Sequence, residues 1–232
     1  MLFNVTYENR RHEIARYFDK TAVSAWAKLT SDAPVSKIRQ TVRDGRDAIR
    51  EVILSWLPGD LNGTRVLDAG CGTGGLTVEV AKRGANVIGV DISPSLIKIA
   101  RSRIPADLET TGSVDFFWGD MLDSSYGDFE HVVLMDSIIH YESDEVVQLI
   151  KELGKRCSRS LIFTFAPHTT LLGTIISIGK FFPRSDRAPS IVPMKQRHLY
   201  KLMEDSLPDW KINRVNRVSK GFYNSQAVEL IR

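Results

Sequence analysis

The sequence predicts an α/β fold: a seven-stranded, mainly parallel sheet with helices on both faces and an antiparallel hairpin at its end. Three observations carry that expectation. Between residues 64 and 167 short β-branched and aromatic runs alternate with helical patterns, and strands joined through helices run parallel and are covered on both sides. Directly after the first run, VLDAGCGTGG (66–75) crowds Gly70, Gly72, Gly74 and Gly75 together, more backbone freedom than a strand or helix interior tolerates, which marks a tight strand-to-helix loop. Near the end, KINRVNRVS and FYNSQAVELIR are separated by Lys220-Gly221 alone, the sign of a hairpin.

The elements follow in order. Apolar residues at helical spacing fill 12–29 (Ile14, Ala15, Phe18, Ala22, Ala25, Trp26, Leu29) and 36–57 (Ile38, Val42, Ile49, Val52, Ile53, Trp56), so helices precede the first strand. Pro58-Gly59-Asp60 closes the second of these. TRVLDAG is the first strand, followed by a helix over 75–83, the strand NVIGVDIS, a helix over 94–103 and the strand VDFFWGD. The strand HVVLMDS, a helix over 143–156 and the strand SLIFTFAP complete the alternation. After Pro167 come a helical insert, a Pro/Arg-rich stretch to Pro193, a helix over 195–206 and the hairpin. The chain thus divides into a helical region, 1–60, and a core, 61–232, that carries an insert at about 168–198.

Composition narrows the function classes. With 232 residues, 43% hydrophobic and 25% charged, the chain can fill one core. A net charge of +3 without a basic track argues against nucleic acid and leaves anionic small molecules or an acidic membrane surface. Cys71 and Cys157 have neither a disulfide framework nor a metal-ligand spacing, which suits a reducing cytoplasm and predicts no bound metal. MLFNVTYENRRHEIARYF carries charges where a secretory signal needs its apolar run, so no export is expected. TLLGTIISIGKFF, interrupted by Lys180, falls short of the roughly 20 residues that span a bilayer but suits lying on one.

The glycine loop brings backbone close to a ligand. Gly70-x-Gly72-x-x-Gly75 satisfies the dinucleotide pattern, while Asp68-x-Gly70-x-Gly72-x-Gly74 satisfies that of S-adenosylmethionine (SAM) methyltransferases. Asp68 shifts the balance, because a carboxylate there repels a pyrophosphate and helps to hold the ammonium of SAM. Asp91, seventeen positions after Gly74 at the end of the second strand, suits the ribose hydroxyls in either case, or a helix cap ahead of Ser93-Pro94. Asp120 and Met121 at the end of the third strand suit the adenine amine and ring. Three acids at successive strand ends point to SAM, with Gly70, Cys71, Gly72 and Ile92 among its contacts. The Cys71 thiol itself reads as packing rather than as a nucleophile, since no base is near in sequence.

The fourth strand delivers LMDSIIHYESDE. Ligands of open α/β sheets sit outside the carboxyl ends of the strands, so Asp136, His140 and Tyr141 should overhang the site. His140 is the candidate catalytic residue, whether it removes a proton, orients the acceptor or pairs with an anionic one; the bland alternative is a satisfied core histidine. No Asn/Asp-Pro-Pro-aromatic motif follows this strand, against base methylation, and no paired glutamates, against arginine methylation. In the insert, Leu171, Leu172, Ile175, Ile176 and Phe182 form an apolar helix face ahead of Arg184 and Arg187. That combination suits a large, flat, apolar acceptor with carboxylates, or a helix packed on the sheet or on lipid.

YFDKTAVSAWAKL, KIRQTVRDGR, LDAGCGTGGLTVEVAKRGA, MDSIIHY, FTFAPHT, GKFFPRSDRAP and KGFYNSQAVE together resemble the magnesium-protoporphyrin IX O-methyltransferases of bacteriochlorophyll and chlorophyll synthesis, over nearly the whole chain. The resemblance implies a Rossmann-like class I SAM-methyltransferase fold, and methyl transfer from SAM to a propionate of magnesium-protoporphyrin IX, with the magnesium carried by the substrate. It implies that residues 1–60 form a lid, with Tyr17 near the methionine end of SAM and Arg43 on its carboxylate. The porphyrin would lie against the insert, with Arg184 on the second propionate and Phe222 and Tyr223 completing the wall. Some relatives carry a tyrosine soon after the tryptophan of the first segment; WAKLTSD has none, so no role of that residue carries over. The porphyrin-binding subunit of magnesium chelatase is an implied partner, and a peripheral place on photosynthetic membranes an implied location. The rival readings are an O-methyltransferase for another apolar acid or phenol, a non-catalytic SAM or porphyrin carrier, and a nicotinamide-dependent reductase. The last lacks a Tyr-x-x-x-Lys pair.

Overall fold

The computed structural model describes residues 2–168 and 190–232. Three helices come first: α1 (Leu2–Tyr17), continued through a π-helical turn (Phe18–Ala22) into α2 (Val23–Leu29), and α3 (Lys37–Trp56). The core follows as β1 (Arg65–Ala69), α4 (Gly75–Ala81), β2 (Asn86–Asp91), α5 (Pro94–Ser102), β3 (Ser113–Trp118), β4 (Phe129–Leu134), α6 (Ser143–Gly154) and β5 (Cys157–Phe165). Then come α7 (Gln196–Ser206), β6 (Lys211–Lys220) and β7 (Tyr223–Ile231). The strand order is β3-β2-β1-β4-β5-β7-β6, parallel throughout except at β7, which runs antiparallel to both of its neighbours. The order reverses between β1 and β4, where such sheets open a ligand crevice at their carboxyl ends.

Alternation along the strands divides the core in two. Leu67, Ala69, Val132, Leu134, Leu161, Phe163 and Val228 face one apolar cluster with α6 and α7. Val66, Val133, Ile162 and Ala227 face the other, with Ile49 and Ile53 of α3 and Leu76 and Val80 of α4. This is the sheet covered on both faces that the sequence implies.

Two elements depart from expectation. The first helix begins ten residues before the apolar spacing at residue 12 announces it, because α1 is polar: among its described side chains it buries Tyr7 and Ile14, two turns apart. The hairpin turn is one residue further on, at Gly221-Phe222, with Gly221 at φ +56° beside Thr41. The proposed apolar face of the insert, together with Arg184 and Arg187, lies outside the described residues. On the described side, Pro167 pairs with Met194 and the His168 amide donates to the Met194 carbonyl, so both stems of the insert stand together.

Candidate active site

A cavity of about 810 Å³ opens over the carboxyl ends of β1, β2 and β4. β1 delivers Asp68, buried, whose carboxylate accepts a 2.6 Å hydrogen bond from Thr77 of α4. Burial raises its carboxyl to about 6, against the pull of the Thr77 bond. The loop then turns through left-handed conformations at Gly70 (φ +85°), Gly72 (+56°) and Gly74 (+81°). At Gly70 glycine is also needed for space, since a Cβ would stand 2.2 Å from that of Ser137. Cys71 packs against Ile97, Ala100 and Phe116, and burial pushes its thiol far up, so it stays protonated, as its reading as a packing residue requires.

Asp91 accepts from the Gly72 amide on one oxygen and the Ser93 amide on the other, each at 2.9 Å. Each oxygen keeps one lone pair for a ligand hydroxyl. Capping of α5 falls to Ser93, which accepts from the Leu96 amide, with Pro94 in the first turn. Asp120 lies at the end of β3 and is gripped from α1: Tyr7 and Arg11 donate to its two oxygens at 2.6 Å each, and the Leu122 amide adds 2.9 Å. Burial first, then Tyr141 and Asp120, push the Tyr7 phenol upward, which keeps it a donor. Tyr7 stacks on Tyr141 with ring centroids 5.8 Å apart.

Asp136 follows β4 at φ +54°, in a conformation that Asp and Asn tolerate better than most residues. Its carboxylate receives Arg46 at 2.6 Å, Tyr223 at 2.9 Å, Thr164 at 3.0 Å and Ser225 at 3.3 Å. His140 is buried, 6.2 Å from the ring of Phe18, with Nδ1 3.3 Å from the Ser190 carbonyl. A carbonyl only accepts, so this contact calls for a proton on Nδ1 and leaves Nε2 as the acceptor. Burial lowers the pKa of the ring, which keeps it neutral near pH 7.

The cavity brings together Asp68, Gly70, Cys71, Gly72, Asp91, Ile92, Asp120, Met121 and Asp136, with His140 and Tyr141 beside them and Tyr17 and Arg43 from the helices. Arg43 reaches it differently from expectation: its guanidinium donates to the Lys28, Leu29 and Ala33 carbonyls at 2.7–3.0 Å, closing the end of α2. Arg103 caps the same end through Ala27 and Thr30. Tyr223 and Phe222 do not line the cavity. Tyr223 is drawn to Asp136 by its hydroxyl and lies against Gly45, and Phe222 is half exposed at the hairpin turn.

The sequence reading missed Arg46, Trp26 and Ser137. Arg46 stacks 4.6 Å over the Trp26 ring, and Ser137 lines the cavity with its hydroxyl buried and unpartnered. A signal for Arg46 existed: it stands three and seven residues before Ile49 and Ile53, on the buried stripe of α3.

Two family models match this chain. Residues 134–232 match the magnesium-protoporphyrin IX methyltransferase C-terminus and 66–159 match a methyltransferase domain. A magnesium-protoporphyrin O-methyltransferase of Rhodobacter capsulatus is 49% identical over 96% of this chain and 97% of its own length. One of Synechocystis is 30% identical over 93% of this chain and 94% of its own. Among solved structures, magnesium protoporphyrin IX methyltransferase from Synechocystis PCC 6803 with bound SAH superposes with a TM-score of 0.82 at 29% identity, covering 94% of this chain and 98% of that one. The chain belongs to the magnesium-protoporphyrin O-methyltransferase family.

Proposed function

We propose that this chain transfers the methyl group of SAM to a propionate carboxylate of magnesium-protoporphyrin IX, releasing the monomethyl ester and S-adenosylhomocysteine (SAH), in bacteriochlorophyll synthesis. The observation that carries the reading is the convergence of three strand-end acids, Asp68, Asp91 and Asp120, with His140 on one cavity. In it Asp91 serves the ribose hydroxyls, Asp120 and Met121 the adenine, and Asp68 the ammonium, with the backbone of Gly70, Cys71 and Gly72 and the side chain of Ile92 alongside.

A propionate oxygen attacks the methyl carbon as the carbon–sulfur bond breaks and its electron pair returns to sulfur. Two opposite charges disappear, so a cavity that excludes water and holds oxygen, carbon and sulfur in line lowers the barrier. A carboxylate is already ionised near pH 7, but desolvation raises its pKa. His140, neutral and with Nε2 free of its proton, is suited to take the proton that remains and to hold the oxygen in place. Residues 1–60 serve as the lid, a role supported by Tyr7, Tyr17, Phe18 and Trp26 in the cavity wall. Arg184 receives the second propionate, and Tyr141 supports the acceptor side of the cavity.

The test is transfer of labelled methyl to magnesium-protoporphyrin IX by the purified protein, beside metal-free protoporphyrin. A monomethyl ester is expected; SAM binding without ester formation would favour another acceptor or a carrier. His140→Ala should lower turnover far more than SAM affinity, and normal turnover would remove His140 from the mechanism. Two further elements belong to the proposal: delivery of the porphyrin by the porphyrin-binding subunit of magnesium chelatase, tested by co-purification, and a cytoplasmic enzyme in peripheral contact with photosynthetic membranes, tested by flotation with vesicles. Among the described residues no helix is long and apolar enough to cross a membrane.

A further inference from the structure

We propose that the π-helical turn between α1 and α2 serves to press Phe18 onto the imidazole of His140, so that Phe18 is a positioning residue for methyl transfer. The inference rests on the reading of His140 given above. His140 is only weakly tethered by its own polar contact. Its Nδ1 lies 3.3 Å from the Ser190 carbonyl, beyond the usual range of about 2.7–3.2 Å for an N–H···O bond, so this bond alone does not fix the ring. Among the described residues, the aromatic ring set against the imidazole is that of Phe18, with centroids 6.2 Å apart and planes at 58°. Phe18 is half-buried and lines the cavity beside His140.

The turn is what brings Phe18 there. Eight residues of straight α-helix rise about 12 Å. The rings of Phe18 and Trp26, eight positions apart, nevertheless meet edge to face at 76° with centroids 5.6 Å apart. A π-helical turn bends the axis in this way. Tyr17 adds a second edge-to-face contact to Phe18, at 5.3 Å and 82°. Trp26 is held in its turn by the Arg46 guanidinium at 4.6 Å, and Arg46 by Asp136 at 2.6 Å. Asp136 and His140 stand four residues apart on the loop after β4. Both ends of this chain of contacts therefore return to one loop, and the helices and the imidazole are set against each other as a unit.

The charged groups that act on His140 are Arg10 and Glu13 of α1 and Asp136; Arg10 opposes protonation, the two acids favour it, and burial outweighs the acids. Removing the Phe18 ring leaves those charges in place and lets water reach the imidazole, so the pKa of His140 should rise toward its ordinary 6.5. Phe18→Ala and Phe18→Leu are assayed beside wild type for kcat at saturating SAM and for the acid limb of kcat/KM toward magnesium-protoporphyrin IX. The His140 ring is titrated by NMR with SAH bound, its signal assigned by its loss in His140→Ala, and SAH affinity is taken from calorimetry. Phe18→Ala is expected to lower kcat roughly ten- to hundredfold and to move the ring titration and the acid limb upward together, with SAH affinity close to that of wild type. Phe18→Leu, which keeps apolar cover without a flat ring, should fall between the two. A fall in kcat without the shifted titration, the shift without the fall, or neither would overturn the proposal. So would a parallel loss of SAH affinity, which would make Phe18 part of the cofactor wall. If Phe18→Ala fails to fold, Phe18→Leu decides by the same criteria. Normal turnover in His140→Ala would instead sink the reading of His140 itself, whatever Phe18 does.

Discussion

Replacing Gly45 by alanine should destabilise the protein, although alanine is the better helix former. Gly45 lies inside α3, where the exchange alone favours the helix by about 1 kcal/mol. The added Cβ, however, would stand 2.3 Å from Cδ1, 2.5 Å from Cγ and 2.6 Å from Cβ of Tyr223. Carbon atoms need about 3.5–4.0 Å. The ring is not free to swing away, because its hydroxyl donates to Asp136 at 2.9–3.0 Å and its own Cβ is part of the overlap. Overpacking of this kind costs about 1–3 kcal/mol, and with three atoms inside contact distance the upper end applies. The net is a loss of about 2 kcal/mol, or a Tm lower by roughly 4–8 °C for a domain of this size. Calorimetry on Gly45→Ala and on Ser55→Ala, at an exposed position of the same helix, separates propensity from packing. Ser55→Ala should stay within about 0.5 kcal/mol of wild type. A Tm at or above wild type for Gly45→Ala would refute the reasoning.

Three other outcomes follow from the buried charges. Asp68 titrates near 6 when folded and at the ordinary 3.8 when unfolded. The folded state therefore holds a proton that the unfolded state has lost, and stability falls by up to about 3 kcal/mol as pH rises from about 4 to 6. A bound cation prefers the carboxylate, so SAM affinity should climb up to tenfold per unit toward pH 6 and then level off, and Asp68→Asn should flatten that profile in calorimetric titrations. His131 bonds Ser160 through Nδ1 at 2.7 Å and buries Nε2 without a partner, and burial lowers its pKa. Its contribution to stability is therefore lost as pH falls through the unfolded value near 6.5, and His131→Gln should blunt the fall in Tm between pH 8 and 5.5; parallel curves would contradict this. Asp136→Ala leaves Arg46 without its buried partner and should cost about 3–5 kcal/mol. Asp136→Asn, which tolerates φ +54° and still accepts hydrogen bonds, should cost less in denaturant titrations, and equal losses would argue against the backbone contribution.

What the sequence made legible was local. Asp68, the glycines after it and Asp91 could be read because their chemistry is written within one βαβ stretch. His140 could be read because it follows a recognisable strand. The network at Asp136 could not, since it joins Arg46, ninety residues earlier, to Tyr223, eighty-seven later. Those pairings exist only once α3 and the hairpin have packed on the sheet. Arg46 went unread for a related reason: it stands three residues from Arg43 on one helix, and spacing does not say which of them meets backbone carbonyls and which the carboxylate of Asp136. Tyr223, which the resemblance places in the porphyrin wall, gives its hydroxyl to the buried Asp136, a pairing that no local pattern announces. The first turns of α1 carry no apolar period because their main anchor is polar, Tyr7 and Arg11 on Asp120.

The strand order has a consequence for how the molecule is made. β7 is synthesised after every other strand of the sheet, yet it lies inside it, between β5 and β6. Until it emerges, β5 presents an open, apolar edge, and β6 has no neighbour in the sheet. A nascent chain at that stage can assemble the glycine loop but not the support behind Asp136, because Tyr223 and Ser225 are not yet in reach. Folding to the active form is therefore held back until the last strand has been delivered, and the waiting edge is the point at which a chaperone, or aggregation, competes for the unfinished protein.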